Sequence, residues 1–175
     1  MSTKLKKLST RKIKSKTVKP KRTKVICISH QEDADGISSA ALIKQAFGGD
    51  TILADYPGMM DKLESLRNDE KLKKLFICDL GLNSQTNDSF VNLLTELRKK
   101  RISVIYVDHH DINPKIITKL KKIKVKLIHN TSECASVLVY DTFKKKLSEH
   151  STFIAACGAI TDYMENKPIA SKLLQ

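Results

Sequence analysis

The sequence has 175 residues, 41% of them hydrophobic, and a formal net charge of +13 at pH 7. This length suffices for one domain with a hydrophobic core. No apolar run approaches the roughly 18 residues needed to cross a bilayer, and no apolar stretch follows the lysine-rich start as it would in a signal peptide. We therefore expect a cytoplasmic protein without a membrane partner. The four cysteines show no paired spacing, which predicts reduced core residues.

The positive charge is concentrated at the start of the chain. Lys and Arg account for 11 of the first 24 residues, none of which is acidic, while the other 21 basic residues are nearly balanced by 19 acids. Residues 1–22 lack hydrophobic periodicity and contain Pro20, which predicts a disordered basic tail. Two interpretations stay open for this tail: contact with nucleic-acid phosphates, or a solvated extension without a specific partner.

From residue 23 onward the sequence alternates between strand and helix patterns. Strands are predicted at 25–28, 51–55, 75–78, 104–107 and 125–129. Helices are predicted at 38–47, 59–68, 88–100, from Pro114, at 133–140 and at 151–160, the first of them ending at Gly48-Gly49. Connections this long imply parallel strands. We therefore predict an α/β fold with a doubly wound, five-stranded, mostly parallel sheet in the order 2-1-3-4-5 and helices on both faces.

Acidic and histidine side chains follow three of the predicted strands at the point where each strand ends. They are His30, Asp33 and Asp35 after the first strand, Asp79 after the third, and Asp108, His109 and His110 after the fourth. In the predicted strand order these three strands are neighbours, and ligand sites of open α/β sheets lie beyond the carboxyl ends of the strands. The sequence therefore predicts one cleft that contains all of these side chains.

The predicted cleft combines carboxylates with imidazoles and contains no thiolate. Such a donor set suits Mn²⁺ or Mg²⁺ better than a structural zinc ion. So many acids in one place would repel one another unless cations neutralised them, and two divalent ions bridged by a carboxylate would do so. Paired ions of this kind commonly promote displacement at phosphorus.

Four motifs carry a family resemblance. They are His-x-x-Asp-Ala-Asp-Gly at 30–36, Asp-Leu-Gly at 79–81, Asp-His-His at 108–110 and Gly-Ala-Ile-Thr-Asp-Tyr at 158–163. In this order they resemble the motifs of the DHH phosphoesterase family, over about residues 24–163. That family includes RecJ-type single-strand exonucleases, oligoribonucleotide and cyclic-dinucleotide phosphodiesterases, and Mn-dependent pyrophosphatases. The stretch Asp-Ala-Asp-Gly-Ile-Ser-Ser-Ala looks most like the RecJ-like branch, because pyrophosphatases usually carry Asn-Pro before the first acid.

The resemblance implies roles for individual residues. One ion would be held by His30, Asp33 and Asp79, with Glu32 as an alternative to His30 or simply a solvated loop acid. The other ion would be held by Asp35, Asp79, His109 and Asp162, so that Asp79 bridges the two. His110 would contact the scissile phosphate or help the leaving group, and Asp108 would orient a neighbouring group.

A further feature follows the fifth strand, on the same rim as His129. The segment from Glu133 to Ser136 predicts the start of a helix. Its backbone N–H groups could receive a phosphate, or Ser132 could simply cap the helix. We keep both interpretations at this stage.

Relatives in the family normally carry a second domain after the fourth motif, whereas this sequence ends at Gln175. We therefore expect residues 23–175 to form the metal-binding domain of a truncated product, a fragment or a split assembly. A separate second domain or a homo-oligomer would then complete the substrate cleft, and the isolated chain would be inactive or weak, hydrolysing polymeric substrates slowly. We also expect a C-terminal helix whose apolar face, with Ile169, Leu173 and Leu174, lacks a partner.

The function predicted from the sequence is a Mn²⁺- or Mg²⁺-dependent phosphoesterase of the RecJ-like type. It would hydrolyse phosphodiester bonds in single-stranded DNA or RNA, or in short oligonucleotides, with a water activated by two ions. Two alternatives remain open. One is a non-catalytic partner or scaffold in a replication or repair assembly, and the other is a small-molecule phosphatase such as a pyrophosphatase or cyclic-dinucleotide phosphodiesterase.

Overall fold

Strands and helices alternate along residues 23–175, the part of the chain that the computed structural model describes. The predicted basic tail, residues 1–22, lies outside the described residues. The strands are β1 (Lys24–His30), β2 (Asp50–Ala54), β3 (Leu72–Cys78), β4 (Ser103–Asp108) and β5 (Lys126–His129). The helices are α1 (Ala34–Phe47), α2 (Tyr56–Ser65), α3 (Asn87–Lys99), α4 (Pro114–Lys122), α5 (Ala135–Phe143), α6 (Ser151–Thr161) and α7 (Ala170–Leu173), with a 3₁₀ turn at Lys144–Lys146 after α5.

The five strands form one sheet in the order β2-β1-β3-β4-β5, as predicted. All four strand pairs are parallel, so the sheet is entirely rather than mostly parallel. The chain steps outward from β1 to β2 and then returns to β3 on the other side of β1. This reversal brings the carboxyl ends of β1, β3 and β4 together at one edge of the sheet, where the predicted site residues lie.

Two hydrophobic layers cover the two faces of the sheet. On one face, Ile28 of β1 packs in a cluster with Leu63 of α2 and Leu94 of α3, and α4 belongs to the same layer. On the other face, Cys27 packs in a cluster with Leu42 of α1, and α5, α6 and α7 contribute to that layer. Both faces are therefore buried, which explains why the central strands are apolar without alternation.

The boundaries of two helices show what the local sequence determines. Gly48 ends α1 as predicted: it adopts φ 67, a left-handed conformation that glycine tolerates, and its N–H donates to the carbonyl of Lys44 at 2.8 Å. The start predicted for α2 at residue 59 was wrong. The helix begins at Tyr56, because proline is tolerated in a first turn and the Asp55 carboxylate accepts a 2.7 Å hydrogen bond from the N–H of Gly58.

The C-terminal segment packs on the domain instead of presenting an unpartnered apolar face. Ile169 and Leu173 are partly buried against the layer formed by α1, α5 and α6, and Ala170 is fully buried. Leu174 is the exception, with 46% of its surface exposed. The prediction of an unpartnered face was therefore wrong for Ile169 and Leu173, because the short α7 packs beside α6.

The cysteines are free thiols, as predicted from their spacing. Cys27, Cys78 and Cys134 are buried, whereas Cys157 is only half-buried. Among residues 23–175, the helices are all too short or too polar to span a membrane.

Candidate metal centre

The candidate site lies where β1, β3 and β4 end. His30 is the last residue of β1, Asp79 directly follows β3, and Asp108 is the last residue of β4. His109 and His110 continue from Asp108 into the loop. Strand order alone brings these side chains together, since β3 lies between β1 and β4.

One group of donors forms around His30, which is only 6% exposed. Its Nδ1 lies 2.8 Å from Oδ2 of Asp33 and 3.8 Å from Oδ2 of Asp79. These are the three side chains predicted for the first ion, and their donor atoms lie close enough together to share one. Glu32, the alternative, has a largely exposed side chain whose carboxylate oxygen is 3.9 Å from Nε2 of His30.

A second group of donors forms around His109. Its Nε2 lies 3.3 Å from Oδ1 of Asp79, 3.5 Å from Oδ2 of Asp162 and 4.0 Å from Oδ2 of Asp35. The structure thus brings together the four side chains predicted for the second ion. Asp79 faces this group with Oδ1 and the His30 group with Oδ2, which is the arrangement that a bridging carboxylate requires.

Asp79 adopts an unusual backbone conformation between the two groups. Its φ is 55, in the left-handed region, which costs a residue with a Cβ about 1 kcal/mol or more. Its N–H donates to the carbonyl of Val107 at 3.0 Å and so continues the pairing of β3 with β4 by one residue. The chain therefore turns sharply at the residue whose carboxylate faces both His30 and His109.

Asp35 is hydrogen-bonded to a distant part of the chain. Its two carboxylate oxygens accept hydrogen bonds from the N–H groups of Ala135 and Ser136, each at 2.8 Å, at the start of α5. The capping role predicted for Ser132 was wrong, because Ser132 does not cap this helix start, and Asp35 occupies two of the N–H groups that were considered for a phosphate. These two hydrogen bonds fix the orientation of the Asp35 carboxylate, whose Oδ2 lies 4.0 Å from Nε2 of His109 in the second donor group.

His110 lies at the outer side of the site, in contact with Asp108. Its Nδ1 is 2.8 Å from Oδ1 of Asp108, which is completely buried. The hydroxyl of Tyr106 lies 2.9 Å from the other oxygen of Asp108 and 2.8 Å from the carbonyl of Leu80. This contact turns Nδ1 of His110 toward Asp108 and leaves Nε2 on the other side of the ring.

Residues 24–166 match the family described as "DHH family, N-terminal domain". The chain belongs to the DHH family. Because the match spans most of the chain, it supports a place in a phosphoesterase superfamily and confirms the resemblance drawn from the four motifs.

A solved structure supports the same fold for this DHH-family chain. A protein from Helicobacter pylori G27, described as uncharacterized, superposes with a TM-score of 0.61 at 19% identity. The match covers 86% of the present chain and 46% of the H. pylori protein, so the chain spans about half the length of that protein. Homoserine dehydrogenase from S. aureus gives a TM-score of 0.37 at 13% identity, over 62% of this chain and 32% of the other, which is too weak to support an argument. No curated protein matches the sequence.

The charges in the DHH-family site interact strongly. Burial, together with the negative charges of Asp35 and Asp33, raises the pKa of Asp79 to about 7 against the opposing effect of His109. Burial also raises the pKa of Asp162. Burial alone would lower the pKa of His109, but its contact with Asp79 and the charges of Asp162 and Asp35 raise that pKa to about 9. The site therefore favours bound protons or other cations.

Buried atoms without partners show that divalent cations fit this site. Among the described residues, Nε2 of His30, Oδ2 of Asp79 and Oδ2 of Asp162 are buried and have no hydrogen-bond partner. Unpaired buried acceptors of this kind are costly, and a metal ion is one way of satisfying them. Carboxylate oxygens mixed with imidazole nitrogens are suitable ligands for Mn²⁺ or Mg²⁺. The residues present therefore fit the predicted ions.

Tyr56 is the residue at this site that sequence reasoning missed. Its hydroxyl lies 3.3 Å from Nε2 of His110, and its ring centroid lies 4.9 Å from that of His30. The sequence patterns place Tyr56 between the second predicted strand, 51–55, and the helix predicted from residue 59, and they assign it no role. The available signal was its position directly after the second strand, since β2 ends at the same edge of the sheet as β1.

Proposed function

We propose that this chain is a Mn²⁺- or Mg²⁺-dependent phosphoesterase of the RecJ-like type that hydrolyses single-stranded nucleic acid or short oligonucleotides. The observation that carries the proposal is the position of Asp79. Its two carboxylate oxygens face two separate donor groups, centred on His30 and on His109. Membership of the DHH family supports phosphoester chemistry at this place.

The proposed ion ligands are the six residues already described. His30, Asp33 and Asp79 would hold one ion, and Asp35, Asp79, His109 and Asp162 the other. When bound, two divalent ions supply Lewis acidity, a more acidic water and neutralisation of phosphate charge. The protein contributes a fixed geometry: α5 holds the carboxylate of Asp35, and pairing with β4 holds the backbone of Asp79.

His110 is proposed to act on the substrate rather than on an ion. Contact with Asp108 raises the pKa of His110, so its protonated form persists to higher pH than that of an ordinary histidine. With Nδ1 directed at Asp108, Nε2 is the atom that can donate a hydrogen bond to a phosphate oxygen or a proton to the leaving oxygen. The side chain of His110 is 38% exposed, so a substrate can reach it.

Two sequence features support nucleic acid as the substrate. The Asp-Ala-Asp-Gly-Ile-Ser-Ser-Ala stretch resembles the RecJ-like branch, and 11 basic residues precede or begin β1. Basic segments favour polyanions, whose phosphates release counterions on binding. We further propose that a separate domain or a second copy contacts the other side of a polymeric substrate, because orientation from both sides contributes strongly to rate.

A substrate panel tests the proposal. The protein is incubated with Mn²⁺ or with EDTA and offered single-stranded DNA, short RNA, a cyclic dinucleotide or pyrophosphate. We expect Mn²⁺-dependent hydrolysis of the DNA or the short RNA, with loss of about 100-fold or more in Asp79→Asn. Asp61→Asn on the exposed surface of α2 is the matched control and retains the rate.

The other outcomes separate the alternatives. Turnover of only pyrophosphate or the cyclic dinucleotide would favour a small-molecule phosphatase. Absence of turnover on every substrate, with both donor groups able to bind Mn²⁺, would favour the non-catalytic scaffold. Equal rates for wild type and Asp79→Asn would contradict the proposed site.

A further inference from the structure

A cavity lies at the edge of the sheet where the strands begin, opposite the edge that carries the candidate metal centre. It has a volume of about 280 Å³. Strand register places Lys74 of β3 beside Ser103 of β4, and Lys126 of β5 beside Ile105 of β4. We call it the lysine cavity; the lining residues that define it are Lys74, Lys126, Lys146, Phe47, Phe76 and Phe143.

Three aromatic rings hold the lysines of this cavity in place. The ring of Phe47 packs against those of Phe76 and Phe143, with centroids 4.7 Å and 5.0 Å apart. The ammonium groups of Lys74 and Lys146 lie 4.9 Å and 5.2 Å from the centroid of Phe47. Attraction between a cation and an aromatic face restricts these flexible side chains. The positive charges are therefore gathered around one opening instead of being spread over the surface.

Lys126 completes the set, 5.4 Å from the centroid of Phe143. Among the residues that the structure describes, no acidic side chain lines the lysine cavity. Within residues 23–175, none of its three lysines forms an ion pair with an acidic side chain. Three uncompensated charges around a single cavity favour an anionic ligand.

The surroundings of the lysine cavity favour a long anion over a small one. Lys144 and Lys145 directly precede Lys146 in the 3₁₀ turn; Lys144 pairs with Asp141 at 3.0 Å, so Lys145 adds the further charge. The chain enters β1 at Lys24 on this same edge, where Lys24 pairs with Asp69 at 2.8 Å. A neighbouring cavity that shares Phe47 is lined by Lys24, Lys71 and the acidic Asp50. The 23 residues before β1 carry ten further Lys and Arg. Extended stretches of positive charge suit polyanions, whose binding releases many counterions.

We propose that the lysine cavity binds the phosphodiester backbone of a nucleic-acid strand. It lies about 16 Å along β3 from Asp79, at the end of the sheet away from the candidate metal centre. Its ammonium groups contact phosphate oxygens and read no base edge, so binding is independent of sequence. Binding here requires neither metal ions nor hydrolysis, and the site serves to anchor a strand on the domain.

Binding measurements in EDTA test this site separately from the metal centre. The full chain is titrated against a fluorescein-labelled 12-nucleotide oligothymidylate at 50–200 mM NaCl, and fluorescence anisotropy is recorded. The cavity variant is Lys74→Gln/Lys126→Gln/Lys146→Gln. The control variant, Lys115→Gln/Lys121→Gln/Lys122→Gln, removes the same charge from exposed positions on α4, on the other face of the sheet.

We expect the cavity variant to bind about tenfold more weakly at 100 mM NaCl. The slope of log affinity against log salt should fall in magnitude by about 2, because each phosphate contact to a single strand contributes about 0.7. The control variant should stay within about threefold of wild type. An abasic strand of equal length should bind wild type as tightly as oligothymidylate does.

Several results would overturn the proposal. Equal losses in the two variants would show that net charge alone matters, and no loss in either would show that the cavity lysines are only solvated. Failure of the abasic strand to bind would contradict recognition through the backbone. Should the triple variant not fold, the single exposed change Lys146→Gln should lower the slope by about 0.7, and an unchanged slope would refute the site. Hydrolysis by wild type in Mn²⁺ is measured separately and bears only on the metal centre.

Discussion

Asp79 illustrates how one residue can organise the site. Its left-handed backbone and its place directly after β3 put one carboxylate between His30 and His109. Asp33 and Asp162 occupy the outer positions of the two donor groups. The individual residues therefore have unequal importance for metal binding, and this difference is measurable.

Substitutions at the two positions should remove different numbers of ions. Wild type should retain about two Mn²⁺ per chain after dialysis, Asp33→Asn about one, and Asp79→Asn almost none, because only Asp79 contacts both groups. Asparagine remains a good N-cap, so Asp33→Asn preserves the start of α1. Metal analysis by mass spectrometry decides the matter, with Asp61→Asn as control. Equal metal contents in the two site variants would contradict a bridging role.

Tyr56 should act as a positioning residue for His110. Tyr56→Phe keeps the ring beside His30 but removes the hydroxyl near Nε2 of His110. Losing one hydrogen bond of about 1 kcal/mol should lower kcat about fivefold, with metal content unchanged. The limb of the pH–rate profile that reports on His110 should shift as well. Tyr140→Phe is the control, and a loss of kcat with an unmoved pH profile would indicate only a structural role for Tyr56.

Among the elements, α1, α5 and α6 have to pack closely to form the second donor group. Asp35 lies in the first turn of α1 and accepts hydrogen bonds from two N–H groups of α5. Helix α6 ends beside Asp162. Gly158 on α6 faces the junction: a Cβ there would lie 2.7 Å from Oδ1 of Asp35. The absence of a side chain at this position allows the three helices to approach one another.

Gly158→Ala should therefore impair both folding and metal binding. The added methyl group has to displace Asp35 and Ser136, and overpacking of this kind costs about 1–3 kcal/mol in the free energy of unfolding. Gly48→Ala is the control, because nothing lies within 4 Å of its added methyl group. Any loss of stability in this variant comes only from the positive φ of residue 48. Urea denaturation and Mn²⁺ titration should show that Gly158→Ala alone weakens metal binding. Wild-type Mn²⁺ affinity in Gly158→Ala would contradict this link between packing and site.

For the whole molecule, the site concentrates negative charge in one buried place while the opposite edge of the sheet carries lysines. Without metal, protons are the cations that relieve the repulsion at the site. The raised pKa of Asp79, about 7, and that of His109, about 9, both reflect this. Stability should therefore depend jointly on pH and on metal.

The metal-free protein should lose stability as pH rises from 5 to 8.5. The Asp79 carboxyl has a pKa of 3.8 in the unfolded chain and about 7 in the folded chain. Between these pH values the folded state binds more protons than the unfolded state, so stability falls as pH rises. His109 contributes stability that is complete below 6.5 and is lost as pH rises to about 9. Thermal melts should show a falling Tm in EDTA and a flatter profile in Mn²⁺. A Tm in EDTA that rises over this range would refute the assignment.

The element order, the sheet order and the residues at the strand ends could all be predicted from the amino-acid pattern. Apolar periodicity reports local structure, and long connections require parallel strands, so His30, Asp79 and His109 could be placed at one edge. Each of the four motifs is a short continuous run of sequence, which is why the family was recognisable from them.

The contacts between distant segments could not be predicted and depend on the folded chain. The hydrogen bonds of Asp35 to Ala135 and Ser136 cross about 100 residues, and the contact of Tyr56 with His110 crosses 54. The lysine cavity likewise combines three strands with the ends of α1 and α5. Such contacts depend on how helices pack on the sheet, through burial and side-chain shape that no local pattern encodes. The site's ligand types were therefore predictable, whereas its supporting hydrogen bonds became visible only in the folded chain.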